Sequence, residues 1–202
     1  MEWSSDSRFP LAMYGKVRPD IEDGDVFLFR GQYLLSKLWE SFNRSYYSHV
    51  ALAVRWGERM MILQAVPFGG IQAVPMSVAV RKYKGRVDWY KLKRDTFEDC
   101  IGRLPKVIEE AKVNLGKKYS YRDLLRSVLH WLANLKLKNR VRHEAMFCSE
   151  YVEHCFREGG MSLTDKADIT TFPKDLETSR HLSYMKTIER GKKPAPVRVW
   201  LP

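Results

Sequence analysis

The stretch Tyr47-Ser48-His49-Val50-Ala51-Leu52-Ala53-Val54 constrains the fold of this chain more than any other. A short apolar run followed by a glycine turn signal at Gly57 reads as a buried strand, and a buried strand needs neighbours on its edges and cover on its faces. The histidine near its start is therefore held rigidly. Three similar runs flank it: Val26-Phe27-Leu28-Phe29 after Gly24-Asp25, then residues 60–66 and 86–92, with Pro67-Phe68-Gly69-Gly70 as a further turn. Helical spacing appears in Leu34, Leu35, Leu38, Trp39 and Phe42, and again in Leu124, Leu125, Val128, Leu129 and Leu132 after Ser120 and Asp123. Asp95-Thr96-Phe97-Glu98 resembles an acidic capping box and opens a helical stretch to Leu115, closed by Gly116 and either kinked or restarted at Pro105.

A second histidine-independent signal lies late in the chain. Met146-Phe147-Cys148-Ser149-Glu150-Tyr151-Val152 reads as the start of a helix that ends at Gly159-Gly160. A thiol at a helix N-terminus is activated by the positive end of the helix dipole. Cys148 and His49 thus suggest a nucleophile and its base, and such a pair needs a third group to orient the imidazole. Strand geometry supplies one. If 47–55 and 60–66 form a hairpin near Trp56-Gly57-Glu58, a two-residue loop puts Gln64 opposite His49 or Ala51, on the face that those two share. A three-residue loop would turn Gln64 away. Each residue also fits a bland role: a small buried hydrophobe for Cys148, a satisfied core imidazole for His49, a solvent-facing amide for Gln64.

The 202 residues suit one α+β domain, with residues 1–22 as an irregular lead-in and 160–202 as a C-terminal extension containing the breaker Thr171-Phe172-Pro173 and a candidate last strand, Val197–Trp200. Cys100, Cys148 and Cys155 are odd in number, and seven helical residues would set the last two about 10.5 Å apart, too far for a bridge. Free thiols are expected. No His-Glu-x-x-His, paired Cys-x-x-Cys, phosphate-cradling glycine loop or Gly-x-Ser-x-Gly frame occurs, so neither a metal nor another cofactor is expected. The formal net charge of +11 implies attraction to an anionic polymer or membrane surface, through Arg81–Arg86 and Lys136–Arg142, with nucleic acid a weaker candidate. The N-terminus lacks the order of a signal peptide, so cytoplasmic synthesis without Sec export is expected, with delivery to the envelope by phage lysis or a secretion machine.

Taken together, these segments resemble the circularly permuted NlpC-like cysteine peptidases, a papain-like group that includes YiiX-type amidases. The likeness runs through Gly24–Phe29, Ser48–Leu52, Ile62-Leu63-Gln64-Ala65 with Gly70-Ile71, Gly116–Tyr121, Phe147–Val152 and Phe172–Leu176, in that order. It implies a permuted papain-like fold, with a nucleophile helix packed on a small antiparallel sheet or barrel. It also implies a thiol hydrolase that cleaves an amide in a bacterial cell-wall peptide, with Cys148, His49 and Gln64 as the catalytic set. Many members of the group carry Glu where Gln64 stands; a neutral amide orients the ring without stabilising its charge. Tyr119, with Tyr121 and Ser149 as competitors, is the candidate oxyanion or substrate-binding group. Two rival readings remain: a lipid acyl hydrolase or acyltransferase of the lecithin:retinol acyltransferase type, and a non-catalytic module that binds an anionic polymer.

Overall fold

The sheet grows outward from the strand that carries His49. In this computed structural model the described residues are 11–31, 47–122, 145–166 and 171–189. In chain order they form β1 (Leu11–Met13), α1 (Tyr14–Val17), β2 (Val26–Arg30), β3 (His49–Trp56), β4 (Arg59–Val66), β5 (Gly70–Pro75) and α2 (Met76–Lys82). There follow β6 (Arg86–Leu92), α3 (Cys100–Val113), β7 (Lys118–Tyr119), β8 (Ala145–Met146), α4 (Cys148–Glu158), α5 (Pro173–Glu177) and β9 (Leu182–Glu189). Seven strands make an open sheet in the order β1-β9-β6-β2-β3-β4-β5, while β7 and β8 pair separately. Neighbours in the large sheet are antiparallel except β1 and β9. The architecture is mixed α+β.

Both faces of the sheet are covered, which is why residues 50–54 of β3 are all apolar and buried. Val50, Leu52 and Val54 belong to one core with Val107 and Ala111 of α3 and Tyr151, Val152 and Phe156 of α4. Ala51 and Ala53 belong to the other, with Phe27, Phe29, Ile62, and Met76 and Val80 of α2. The β3–β4 hairpin closes through a two-residue turn: Trp56 pairs with Arg59, and Gly57 takes the φ of +58° that such a tight turn requires.

The fold departs from the sequence expectations in several places. The sheet is open and seven-stranded, not a small sheet or barrel. The lead-in contributes β1 and the C-terminal extension contributes β9, and these two pair with one another. The helix expected from Asp95 begins at Cys100 instead: residues 94–96 form a single 3-10 turn, and the Asp99 carboxylate caps α3 by accepting the Gly102 N–H at 3.2 Å. That helix continues unbroken through Pro105. The helices expected over 34–42 and 124–132, the basic run 136–142 and the strand at 197–200 lie outside the described residues.

Candidate active site

Cys148 is the first residue of α4, and the chain fixes that helix start from two sides. The Glu150 carboxylate accepts the Phe147 N–H at 3.1 Å, satisfying a donor ahead of the first turn. The Ser149 hydroxyl donates to the Thr171 carbonyl at 2.7 Å, tying α4 to the segment before α5. There the same device recurs, with Asp175 accepting the Phe172 N–H at 2.8 Å. Ser149 is fully buried, and its hydroxyl also lies in hydrogen-bonding reach of the Cys148 thiol.

His49 and Gln64 meet as strand geometry requires. Continuing the β3–β4 register from Leu52↔Leu63 sets Gln64 opposite Ala51, diagonal to His49 on the same face. The ring Nε2 lies 2.7 Å from Gln64 Oε1. An amide oxygen only accepts, so Nε2 carries the proton and Nδ1 presents a lone pair. The Phe29 ring, paired across β2, stands 5.2 Å from the imidazole and limits its rotation. Burial holds the His49 pKa below its ordinary value, against the smaller upward pull of Gln64. The ring is therefore neutral at pH 7.

The thiol reaches the same strand from the other side. The Val50 N–H points at the Cys148 sulfur, as do the backbone N–H groups of Ser149 and of Cys148 itself. The thiol is thereby set against the residue next to His49, beyond the last pair, Leu52↔Leu63, of the β3–β4 ladder. The helix-end donors favour the thiolate, but burial outweighs them and pushes the thiol up to about 11. The dipole expectation is thus reversed in sign: the resting site holds a neutral thiol and a neutral imidazole. Among the described residues, the imidazole's hydrogen bond is to Gln64 and not to the sulfur.

The two tyrosines separate cleanly. Tyr119 is half-buried on β7, paired with Met146 two residues before Cys148; burial raises its pKa, and the charge of a Cys148 thiolate would raise it further, so the hydroxyl stays protonated. Tyr121 instead uses its hydroxyl to accept the Phe68 N–H at 2.9 Å.

A cluster that the sequence reading missed underlies the His49 end of β3. Asp88, fully buried on β6, accepts from the Tyr47 hydroxyl at 2.8 Å and from the Thr187 hydroxyl, and is ion-paired with the Arg30 guanidinium at 2.6 Å. Tyr47 precedes His49 by two residues, and Arg30 follows Phe29. The available signal was an acid inside the apolar run Val87-Asp88-Trp89-Tyr90, which demands buried partners.

No family model matches the chain, and no curated protein matches it in sequence. A solved structure does match: the metalloprotein YiiX of Escherichia coli O157:H7, at 16% identity and a TM-score of 0.62, over 83% of this chain and 98% of that one. The fold resembles that of YiiX. At this identity the likeness to YiiX speaks to the fold alone, and the chemistry rests on the residues of this chain.

Proposed function

We propose that this protein is a cysteine acyl hydrolase that cleaves an amide bond through a covalent thioester. The observation that carries the reading is the 2.7 Å His49–Gln64 bond, on the strand whose next N–H faces the Cys148 sulfur. In the proposed sequence, Sγ attacks the carbonyl carbon while its proton passes to Nδ1 of His49. The Tyr119 hydroxyl donates to the resulting oxyanion. The tetrahedral adduct expels the amine, which takes the proton back from His49, and leaves the acyl group on sulfur. A water then gives its proton to His49, adds to the thioester, and the collapse releases a carboxylic acid and restores the thiol. Gln64 fixes the proton on Nε2, so that Nδ1 is the basic nitrogen in both halves.

The description of YiiX as a metalloprotein raises the question of a metal here. The donor set does not fit one: among the described residues no group of three or more His, Cys, Asp or Glu side chains could hold an ion. Next to Cys148 and His49 the third group is a neutral amide whose oxygen already accepts the Nε2 proton. No step is routed through a metal.

The family resemblance favours a bacterial cell-wall peptide as the amide substrate. Incubating peptidoglycan fragments with wild type and Cys148→Ala tests this: new amines that require Cys148 support it, and their absence from both proteins counts against it. Phospholipid vesicles in a parallel arm test the acyl-lipid reading, for which the product is a free fatty acid.

A further inference from the structure

Three aromatic rings lead from the buried thiol to the surface. Tyr119, paired with Met146 two residues before Cys148, lies 5.0 Å from the Tyr121 ring, which lies 5.7 Å from that of Phe68. Phe68 is 97% exposed at the tip of the β4–β5 turn and has a φ of +61°, a conformation that ordinarily selects Gly or Asn. A phenyl ring standing in water at a strained position gains nothing from folding. Its placement is nonetheless built. Tyr121 holds the Phe68 N–H, and the turn is locked to the segment leading into β7 by Ile71 N–H donating to Lys117 O and Gly116 N–H to Ile71 O, both at 2.8 Å. The approach is so close that a Cβ on Gly70 would sit 2.4 Å from that Lys117 oxygen.

The described residues flanking the ring in sequence are basic or uncharged. The segment Gly116-Lys117-Lys118-Tyr119-Ser120-Tyr121-Arg122 carries three cations and no acid, and Pro67–Gly70 carries no charge. Lys118 and Arg122 are exposed and Tyr121 is 48% exposed. An aromatic tip flanked by basic side chains matches the layered chemistry of a lipid surface, with headgroup phosphates outside and acyl carbons beneath. A soluble polyanion would use the cations and leave Phe68 nothing to enter. The net charge of +11 adds long-range attraction to the same partner. No helix of the described residues is long and apolar enough to cross a membrane.

We propose that Phe68, Tyr121, Lys118 and Arg122 form a docking surface for an anionic phospholipid bilayer, which sets the nucleophile at the membrane interface. The consequence for catalysis, delivery of a membrane-borne acyl substrate, rests on the hydrolase reading above; the docking itself does not. The test is vesicle flotation with the full chain carrying Cys148→Ala, so that no hydrolysis alters the lipid. Phosphatidylcholine vesicles are compared with and without phosphatidylglycerol. Binding is expected with phosphatidylglycerol and is expected to weaken as salt rises. Adding Phe68→Ala should lower partitioning about tenfold, Phe68→Trp should preserve it, and Lys118→Glu or Arg122→Glu should each lower it about fivefold or more. Unchanged melting curves would show that these surface variants fold. Equal binding by Phe68→Ala, indifference to phosphatidylglycerol, or full displacement by soluble polyphosphate would overturn the proposal. An inert Cys148 in the hydrolysis assay would sink the enzyme reading and leave the docking result standing.

Discussion

Asp88 and Cys148 are both withdrawn from water, at 0% and 7% exposure, but their surroundings differ in kind. Asp88 is met by a guanidinium and two hydroxyls, so its burial is matched by partners that want its charge. Cys148 is met by backbone N–H groups and an aromatic neighbour, which do not offset the loss of solvent. Matched burial makes a rigid anchor. Unmatched burial leaves a neutral thiol, which in the proposed reaction awaits a base and a substrate. The two regions adjoin along the chain, because the Asp88 cluster holds Tyr47, two residues before His49, and Arg30, next to the Phe29 that pairs with His49. Asp25 falls between the two extremes. Its oxygens accept from Glu22 N–H at 3.0 Å, Trp89 Nε1–H at 2.8 Å and Leu92 N–H at 3.4 Å, yet burial still raises its pKa to about 6.

The contrast can be broken by substitution. His49→Ala should lower the rate of amide cleavage about 10²–10⁴-fold, with chemical denaturation unchanged, because it removes proton transfer and little packing. Asp88→Ala should do the reverse, costing about 3–5 kcal/mol of stability by stranding the buried Arg30 charge; a denaturation midpoint close to wild type would show that the cluster anchors nothing. Asp25 gives a pH signature. Its folded pKa of about 6 lies above the ordinary carboxylate value, so the folded state binds the proton more tightly than the unfolded chain. Its contribution to stability is therefore present at low pH and lost as pH rises from about 4 through about 6, by roughly 2–3 kcal/mol. Urea unfolding across that window should show the decline, and Asp25→Asn should reduce it, leaving the share of Glu153, whose pKa burial also raises to about 6.

Smaller effects probe the imidazole. Gln64→Ala should cost about 10–100-fold in rate by freeing the ring. Gln64→Glu should instead place a carboxylate on Nε2 and raise the His49 pKa. In wild type the acid limb of the pH–rate profile should fall below the ordinary histidine value, since the neutral ring is the base; in Gln64→Glu it should move upward. A profile that does not respond to Gln64→Glu would remove Gln64 from the site.

Much of this was legible in the chain because it depends on local rules. The apolar runs at 26–29, 47–55, 60–66 and 86–92 became strands, the two-residue turn at Gly57 put Gln64 on the face of His49, and Gly159-Gly160 ended the nucleophile helix. What escaped depends on long-range pairing. β9 lacks a clean alternation because its register shifts opposite Trp89 and Tyr90, where Met185 is turned out to solvent. The start of α3 was misplaced because Asp99 caps from a left-handed conformation that spacing does not reveal. The thiol's elevated pKa was illegible for the same reason: helix position can be read in sequence, but the desolvation that overrides it comes from packing.

The most direct test is acyl trapping. The protein is exposed near neutral pH to an activated acyl ester, and peptide mapping then locates the acyl group. If Cys148 is a nucleophile deprotonated by His49, the adduct forms on Cys148 in wild type and is largely lost in His49→Ala, while Cys100 and Cys155 stay unmodified. Equal acylation of Cys148 with and without His49, or none in either protein, would contradict the pairing of thiol and imidazole on which the proposed chemistry depends.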